Sequence, residues 1–266
     1  MRSFSLPRWA SGLIGVVGIV VVWWLIALVA AATATGSYVP VPTPLDVVTS
    51  MVDDGFDFFW TSFSVTLLEA GIGYFWGNLI ALVLSAFVLV VPQLEGVLQQ
   101  VAVVSYCVPI VAIGPLAILI LGGATQPGDA SATAVFLAGL SVFFTTVVGS
   151  LLGFKAADRA SLDVITVYGG SKFTQLRKVR LVAALPSILS ALQIAVPAAF
   201  LGAILGEYMG RIEVGVGPIL RNAAVSLNSP RVFALFLLCA VVALAGYGLV
   251  GLVGRFAAPW STGKRA

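Results

Sequence analysis

The sequence predicts an all-α polytopic membrane protein with about six transmembrane helices. Two observations carry this expectation. Of the 266 residues, 60% are hydrophobic and 9% are charged, with a mean hydropathy of +1.08, whereas a soluble domain carries about 25% charged residues. The apolar residues also run on without alternating with polar ones. Lipid-facing barrel strands alternate; helices that satisfy their own backbone do not need to. A hydrocarbon core roughly 30 Å thick takes about 20 helical residues at about 1.5 Å each.

The first span is expected over residues 12–32. Arg2 and Arg8 precede it, and Ala32–Ala34 ("ATA") resembles a signal-peptidase site. The run exceeds the roughly 7 to 15 residues of a secretory core and further spans follow, so it reads as a retained helix. Residues 33–62 read as a loop with Asp46, Asp53, Asp54 and Asp57 and no basic residue, either simply solvated or attractive to a cationic partner. Its "YVPVPTP" (Tyr38–Pro44) has alternate prolines that favour a stiff, extended connection. The second span is expected over 63–91, ending at Pro92, and the third over 97–121. The fourth covers 132–154, the fifth 184–207 and the sixth 232–254, all in one membrane domain, 1–266. "SYCVPIVAIGP" (Ser105–Pro115) in the third, and Pro197 and Gly202 in the fifth, mark kinks that line a pathway or adapt the packing.

Orientation follows from the basic residues. With the N-terminus inside, Arg2, Arg8, Lys155, Arg159, Lys172, Arg177, Lys178, Arg180, Arg255, Lys264 and Arg265 fall on the inner side and Arg211, Arg221 and Arg231 on the outer. The positive-inside rule then places both termini in the cytoplasm of a cell membrane protein. The net charge of +3 reflects this flanking and does not suggest nucleic acid.

The sequence offers little chemistry of its own. It has no G-x-x-x-x-G-K-[ST] phosphate loop. Histidine is absent, which excludes a Ser/His/Asp set, and Cys107 and Cys239 stand apart, as buried inert thiols rather than metal ligands or a disulfide. Glu69 and Glu207 are the carboxylates in or near the spans. Both read as lying near span ends, where snorkelling lowers their cost, with Glu207 a candidate outer-gate or pathway residue. Ser105, Tyr106, Ser141, Thr145 and Gln193 are the other polar pathway candidates, and no metal site is expected.

The segment 155–183 is the most organised polar stretch. Leu162, Ile165 and Gly169 fall at i, i+3 and i+7, and Phe173, Leu176 and Val179 continue at three-residue spacing. Gly169 suits the left-handed end of one short helix, Ser171 can cap the next, and Pro186 suits the first turn of the fifth span. Attraction to anionic headgroups accounts for the charge. It leaves the apolar face and the glycine unexplained; docking of a second protein on this projection accounts for both.

Gly169, with the long spacing that ends in Leu185-Pro186, resembles the EAA loop of binding-protein-dependent ABC importer permeases. "VPVPTP" before the second span, "VPIVAIGPLAILILGG" in the third and "LGEYMGRIEVGVGPIL" after the fifth resemble the nitrate, sulfonate and taurine importer permeases in particular. The resemblance implies a type I importer permease (MetI-like) fold with a cytoplasmic coupling helix, and a subunit that forms the translocation pathway without being an enzyme. It implies a second permease subunit, identical or different, two cytoplasmic ATP-binding subunits and an extracytoplasmic substrate-binding protein, with ATP and Mg on the ATPase and no cofactor on this chain. It also implies that Leu162, Asp163, Ile165, Gly169, Ser171, Phe173, Leu176 and Arg177 dock the ATPase. The substrate would be a small polar solute, such as a nitrate-, sulfonate- or taurine-like anion or a small organic nutrient. This chain departs from the family pattern at Asp163-Val164-Ile165, in place of Glu-Ala-Ala, at Val182, in place of a proline, and at Glu69, in place of a basic residue. The competing classes are an ATP-independent transporter or channel, against which the lack of visible inverted repeats weighs, and a membrane scaffold.

Overall fold

A computed structural model describes residues 7–34, 38–210 and 212–262. Arg2, Arg211, Lys264 and Arg265, used above for orientation, lie outside the described residues. The chain is helical: α1 (Arg8–Thr33), α2 (Pro44–Asp54), α3 (Phe56–Val90), α4 (Glu95–Cys107), α5 (Ile110–Leu121), α6 (Ala132–Lys155), α7 (Arg159–Val167), α8 (Lys172–Gln175), α9 (Leu181–Met209), α10 (Val216–Val225) and α11 (Ser229–Ala257). Among the described residues five helices are long and apolar enough to cross a membrane, or six where α4 and α5 count as one bent span. The chain falls into two compact units, one of residues up to 60 with 219–239, the other of 61–218 with 240–266.

In the first unit, the stretch expected to be an acidic loop is largely helix. Thr43 and Asp46 form a reciprocal capping box: the Asp46 N–H donates to Thr43 Oγ1 at 3.2 Å and the Thr43 N–H to Asp46 Oδ2 at 2.9 Å. Pro44 takes the first helical position, where its missing N–H is harmless. Asp54 receives Arg231 in a two-pronged ion pair, with Nε at 2.8 Å from Oδ2 and Nη2 on Oδ1. The guanidinium also lies 5.2 Å from the Phe58 ring centroid. Two of the four expected loop carboxylates are therefore structural. Trp23 stacks on Phe233 at 5.9 Å and donates its indole N–H to the Pro42 carbonyl at 3.1 Å, which ties the proline-rich connection to α1.

In the second unit, small residues set the packing. α6 and α9 run antiparallel, and the pairs Ala134–Gly206, Ala138–Gly202, Gly149–Ala191 and Gly153–Ser187 keep one register along the seam. A Cβ on Gly202 or Gly206 would collide with α6 main-chain atoms at 2.5–2.8 Å. In lipid, helices gain no hydrophobic drive by associating, so such close backbone approach supplies the attraction. α3 runs parallel to α6, with Gly73 and Gly77 against Gly139 and Asn78 receiving the Thr146 hydroxyl at 2.5 Å. α9 is antiparallel to α3, fixed by the Tyr74 hydroxyl donating to the Leu192 carbonyl at 3.0 Å.

Two sequence expectations change here. The third span, expected as one helix over 97–121, is two helices bent by 95° at Val108-Pro109. Pro109 has no N–H to continue the ladder and forces its predecessor out of the helical region; Val108 has ψ 123°. Pro186, expected in the first turn of the fifth span, sits inside a helical run, Lys172–Met209, that the sequence was expected to divide. The run passes through one turn of π-helix at Leu176–Arg180.

Candidate functional site

Residues 158–176 form a small projection whose shape is set by its own backbone. Asp158 caps α7 through the Ser161 N–H at 3.3 Å. At the other end Gly169 has φ +73°, its N–H bonds the Thr166 carbonyl at 2.9 Å, and the Gly170 N–H bonds the Ile165 carbonyl at 2.8 Å. This is a Schellman turn, which needs the left-handed residue at Gly169. A Cβ on Gly169 would meet open space, so conformation alone demands glycine there; at Gly170 it would strike Ile165. Ser171 then caps α8 through the Thr174 N–H at 3.3 Å. Gln175 stitches the two helices, donating to the Leu162 carbonyl at 3.2 Å and to Thr166 Oγ1 at 2.8 Å.

The surface of this projection differs from the one the sequence suggested. Leu162, Ile165 and Leu176 are half-buried, while Asp163, Gly169, Ser171, Phe173 and Arg177 are exposed. The most exposed apolar side chains are Tyr168 at 86% and Val167 at 84%, with Val164 beside them on α7. Leu162 and Ile165 mark the inner face of α7, while Val164, Val167 and the C-cap residue Tyr168 make an outward apolar triplet at its end.

The six polar pathway candidates separate into different settings. Ser105, Tyr106 and Ser141 come together at the break between α4 and α5, lining a cavity of about 360 Å³ with Pro109, Leu140 and Ala198. Tyr106 is exposed and stacks on Phe144 at 4.5 Å. Ser105 and Ser141 return their hydroxyl protons to the Ala102 and Leu137 carbonyls at 2.7 and 2.8 Å, which leaves their lone pairs free to accept. Thr145 lies one turn further along α6 and does not line that cavity. Gln193 faces α11 instead, donating to the Tyr247 carbonyl at 3.2 Å and lining a separate cavity of about 760 Å³. Cys107, expected to be buried, is exposed because it is the last residue of α4 at the break, and Cys239 is half-buried.

Glu207 lies in none of these cavities. It and Glu69 are fully buried, not snorkelling as their positions in the sequence suggested. Glu207 Oε1 accepts the Thr66 hydroxyl at 2.6 Å and Oε2 accepts the Gly217 N–H at 2.7 Å; Thr66 Oγ1 in turn accepts the Val216 N–H at 3.0 Å. The two side chains thus take up main-chain donors of the first turn of α10, where a helix N-terminus favours negative charge. Gly215 at φ +147° brings that turn against the carboxylate, and its missing Cβ is what admits it. Glu69 does the same for α6: its Oε1 accepts the Ser131 N–H at 2.6 Å. The two carboxyls face each other, with Glu69 Oε2 turned to Glu207 rather than to a main-chain donor. Sequence reading could see the charges but not the helix starts they serve. Among the described residues no group of three or more Cys, Asp or Glu is placed to hold a metal ion.

Residues 73–259 match the family of binding-protein-dependent transport system inner membrane components. The chain belongs to this family. It is a permease subunit of an ABC importer, a multi-pass inner-membrane protein and the non-catalytic membrane component of a system that works with ATPase and binding-protein subunits. It is 31% identical over 188 residues to a probable ABC transporter permease of Haemophilus influenzae, covering 71% of this chain and 74% of that one. It is 26% identical over 255 residues to a putative aliphatic sulfonates transport permease of Bacillus subtilis, covering 95% and 88%. It is also 26% identical over 219 residues to the formylaminopyrimidine transport permease of Halalkalibacterium halodurans, covering 82% and 85%. The fold is shared with a chain of the crystal structure of a bacterial ABC transporter that imports alginate, with a TM-score of 0.57 at 14% identity over 91% of this permease and 94% of that chain. The family match begins at Gly73 and so takes in the α7–α8 projection, the α4–α5 break and Glu207, but not Thr66 or Glu69.

Proposed function

We propose that this permease docks an ATP-binding subunit on the outward face of α7, and that two such ATPases and a second permease subunit complete the importer. The carrying observation is the exposed Val164, Val167 and Tyr168 on a helix whose orientation is held by the Gly169-Gly170 turn and by Gln175. Exposed apolar side chains on a rigid element suit a partner groove, because little conformational freedom is lost on docking. Both termini and the projection lie in the cytoplasm in this reading, since Lys155, Arg159, Lys172, Arg177, Lys178, Arg180 and Arg255 share one side of the spans. The binding protein then delivers substrate from the opposite side. ATP binding and loaded binding protein bias the pathway between inward- and outward-open arrangements.

The pathway wall in this reading is the cavity at the α4–α5 break. Its polar lining is hydroxyl rather than charged, and it includes Ser105, Tyr106 and Ser141. That chemistry suits a small polar solute held by hydrogen bonds, in keeping with relatives named for sulfonates, riboflavin and formylaminopyrimidine. The deciding experiment co-expresses the permease with its ATPase and compares wild type with Tyr168→Ala and Val167→Ala. Loss of copurified ATPase with an unchanged membrane fraction is expected; retention in a Tyr168→Ala/Val167→Ala double variant overturns the docking face. For the pathway, Ser141→Cys in a Cys107→Ala background should react with a water-soluble thiol reagent in at least one nucleotide state. Silence in every state assigns Ser141 to packing.

A further inference from the structure

Where α3 and α6 end, the helix that runs from α8 into α9 lies across them and leaves a cavity of about 550 Å³. Its wall is apolar, from Val88, Leu89, Leu151 and Phe154, and its rim carries Lys155, Lys172 and Arg180 with one acid, Glu95. Lys155 pairs with Glu95 at 2.5 Å. Among the described residues Lys172 and Arg180 have no ion-pair partner. Lys172, Leu176 and Arg180 recur every four residues, so this face turns both charges toward the cavity while Arg177 and Lys178 do not line it. The cavity also opens onto exposed apolar surface. Trp76, Ile80, Val83, Phe87 and Val90 form an exposed apolar stripe at three- and four-residue spacing down α3, and Val90 is both its last member and part of the cavity wall.

A two-charge basic rim joined to an apolar track that runs along a span has the chemistry of a phospholipid with a net negative headgroup, and of little else. The phosphate would meet Lys172 and Arg180; one acyl chain would lie along Val83, Phe87 and Val90. We infer that this cavity is a binding site for an anionic phospholipid, which wedges the α8–α9 helix against the ends of α3 and α6. Basic pockets between span ends are suited to such headgroups. The inference rests on the proposed cytoplasmic placement of α7 only in assigning the lipid to the inner leaflet. It concerns α8 and the start of the following helix rather than Val164, Val167 and Tyr168.

Native mass spectrometry of the detergent-purified wild-type permease complex, titrated with phosphatidylglycerol or phosphatidylcholine, tests it. One tightly held phosphatidylglycerol per chain is expected, with phosphatidylcholine not retained. Lys172→Gln/Arg180→Gln should weaken retention roughly 30-fold, at about one lipid-surface interaction per charge, while Arg177→Gln/Lys178→Gln should not. Equal loss in both double variants, no discrimination between the two lipids by the wild type, or displacement of the lipid by millimolar inorganic phosphate each overturns the site. The wild-type titration stands by itself if the cavity variant fails to fold. Copurified ATPase is scored in the same samples. Loss of the ATPase with lipid retained in Lys172→Gln/Arg180→Gln would assign the cavity to the ATPase, and loss in Tyr168→Ala alone leaves the lipid site intact.

Discussion

The α7–α8 projection and the buried knot around Glu207 both depend on glycine and on helix caps, but they use them to opposite ends. In the projection, Gly169 faces open space and is required for its backbone angle, the caps are made by exposed Asp158 and Ser171, and the apolar side chains point outward. In the knot, Gly215 and Gly217 are required because Glu207 occupies the space of their Cβ atoms, and the cap is a carboxylate with no exposed surface. Water would satisfy most of the projection's polar groups if its turn came apart. Nothing but protein can satisfy those of the knot, so breaking it leaves donors and acceptors buried without partners. The difference predicts that substitutions in the knot cost folding and those in the projection cost partnership.

The largest effect is expected from Glu207→Leu. It strands the Gly217 N–H, leaves the Thr66 hydroxyl only the Ser62 carbonyl at 3.1 Å, and removes the acceptor from a helix start, for a loss of about 3 kcal/mol. The melting temperature of the purified permease and the yield of monodisperse protein should fall sharply. A variant with wild-type stability would place Glu207 outside the structural frame and return it to the pathway. Gly206→Val comes next. Its side chain would drive into Ala134 across the α6–α9 seam, and overpacking of this kind costs about 1–3 kcal/mol. The same assay reads it, and ATPase should still copurify with the fraction that folds.

The projection should behave the other way. Gly169→Val puts a β-branched residue at φ +73°, which opens the turn and misorients α7. Copurified ATPase and substrate-stimulated ATP hydrolysis should be lost while the melting temperature moves little. Gly169→Asn, which tolerates the left-handed region, should recover most of both. Equal losses in Val and Asn variants would mean that the turn geometry is not what Gly169 supplies. Ser171→Ala is milder, at about 1 kcal/mol of local cap stability, and should weaken docking without abolishing it.

These expectations also show what could be read from sequence. The α7–α8 turn was legible because its information is local: a left-handed glycine, a serine cap and a helical period all lie within twenty residues. The spans were legible because apolar length needs no knowledge of neighbours. The bend at Val108-Pro109 was half-visible, since proline shows where a helix breaks but not by how much. Which side of α7 faces outward was not legible, because period identifies a stripe without saying which side the rest of the protein occupies. The knot was invisible. Thr66, Glu69, Ser131, Glu207 and Val216 are joined over separations of 62 to 150 residues, and no local pattern reports which helix start a distant carboxylate will meet.

The smallest effect sharpens the comparison most. Glu69 keeps one oxygen on the Ser131 N–H at the start of α6 and turns the other to Glu207. Glu69→Gln preserves the first acceptor and places an amide N–H where Oε2 stands, so it offers Glu207 a permanent donor that does not depend on a shared proton. Its melting temperature should be unchanged or slightly raised. Glu69→Leu has a similar bulk but strands the Ser131 N–H, and should lose about 1–3 kcal/mol. If Gln were as damaging as Leu, the second oxygen would have a specific role that an amide cannot fill, and Glu69 would be more than a cap for α6. If both were silent, the buried polar contacts of the knot would contribute little, and the contrast with the projection would rest on Glu207 and Thr66 alone.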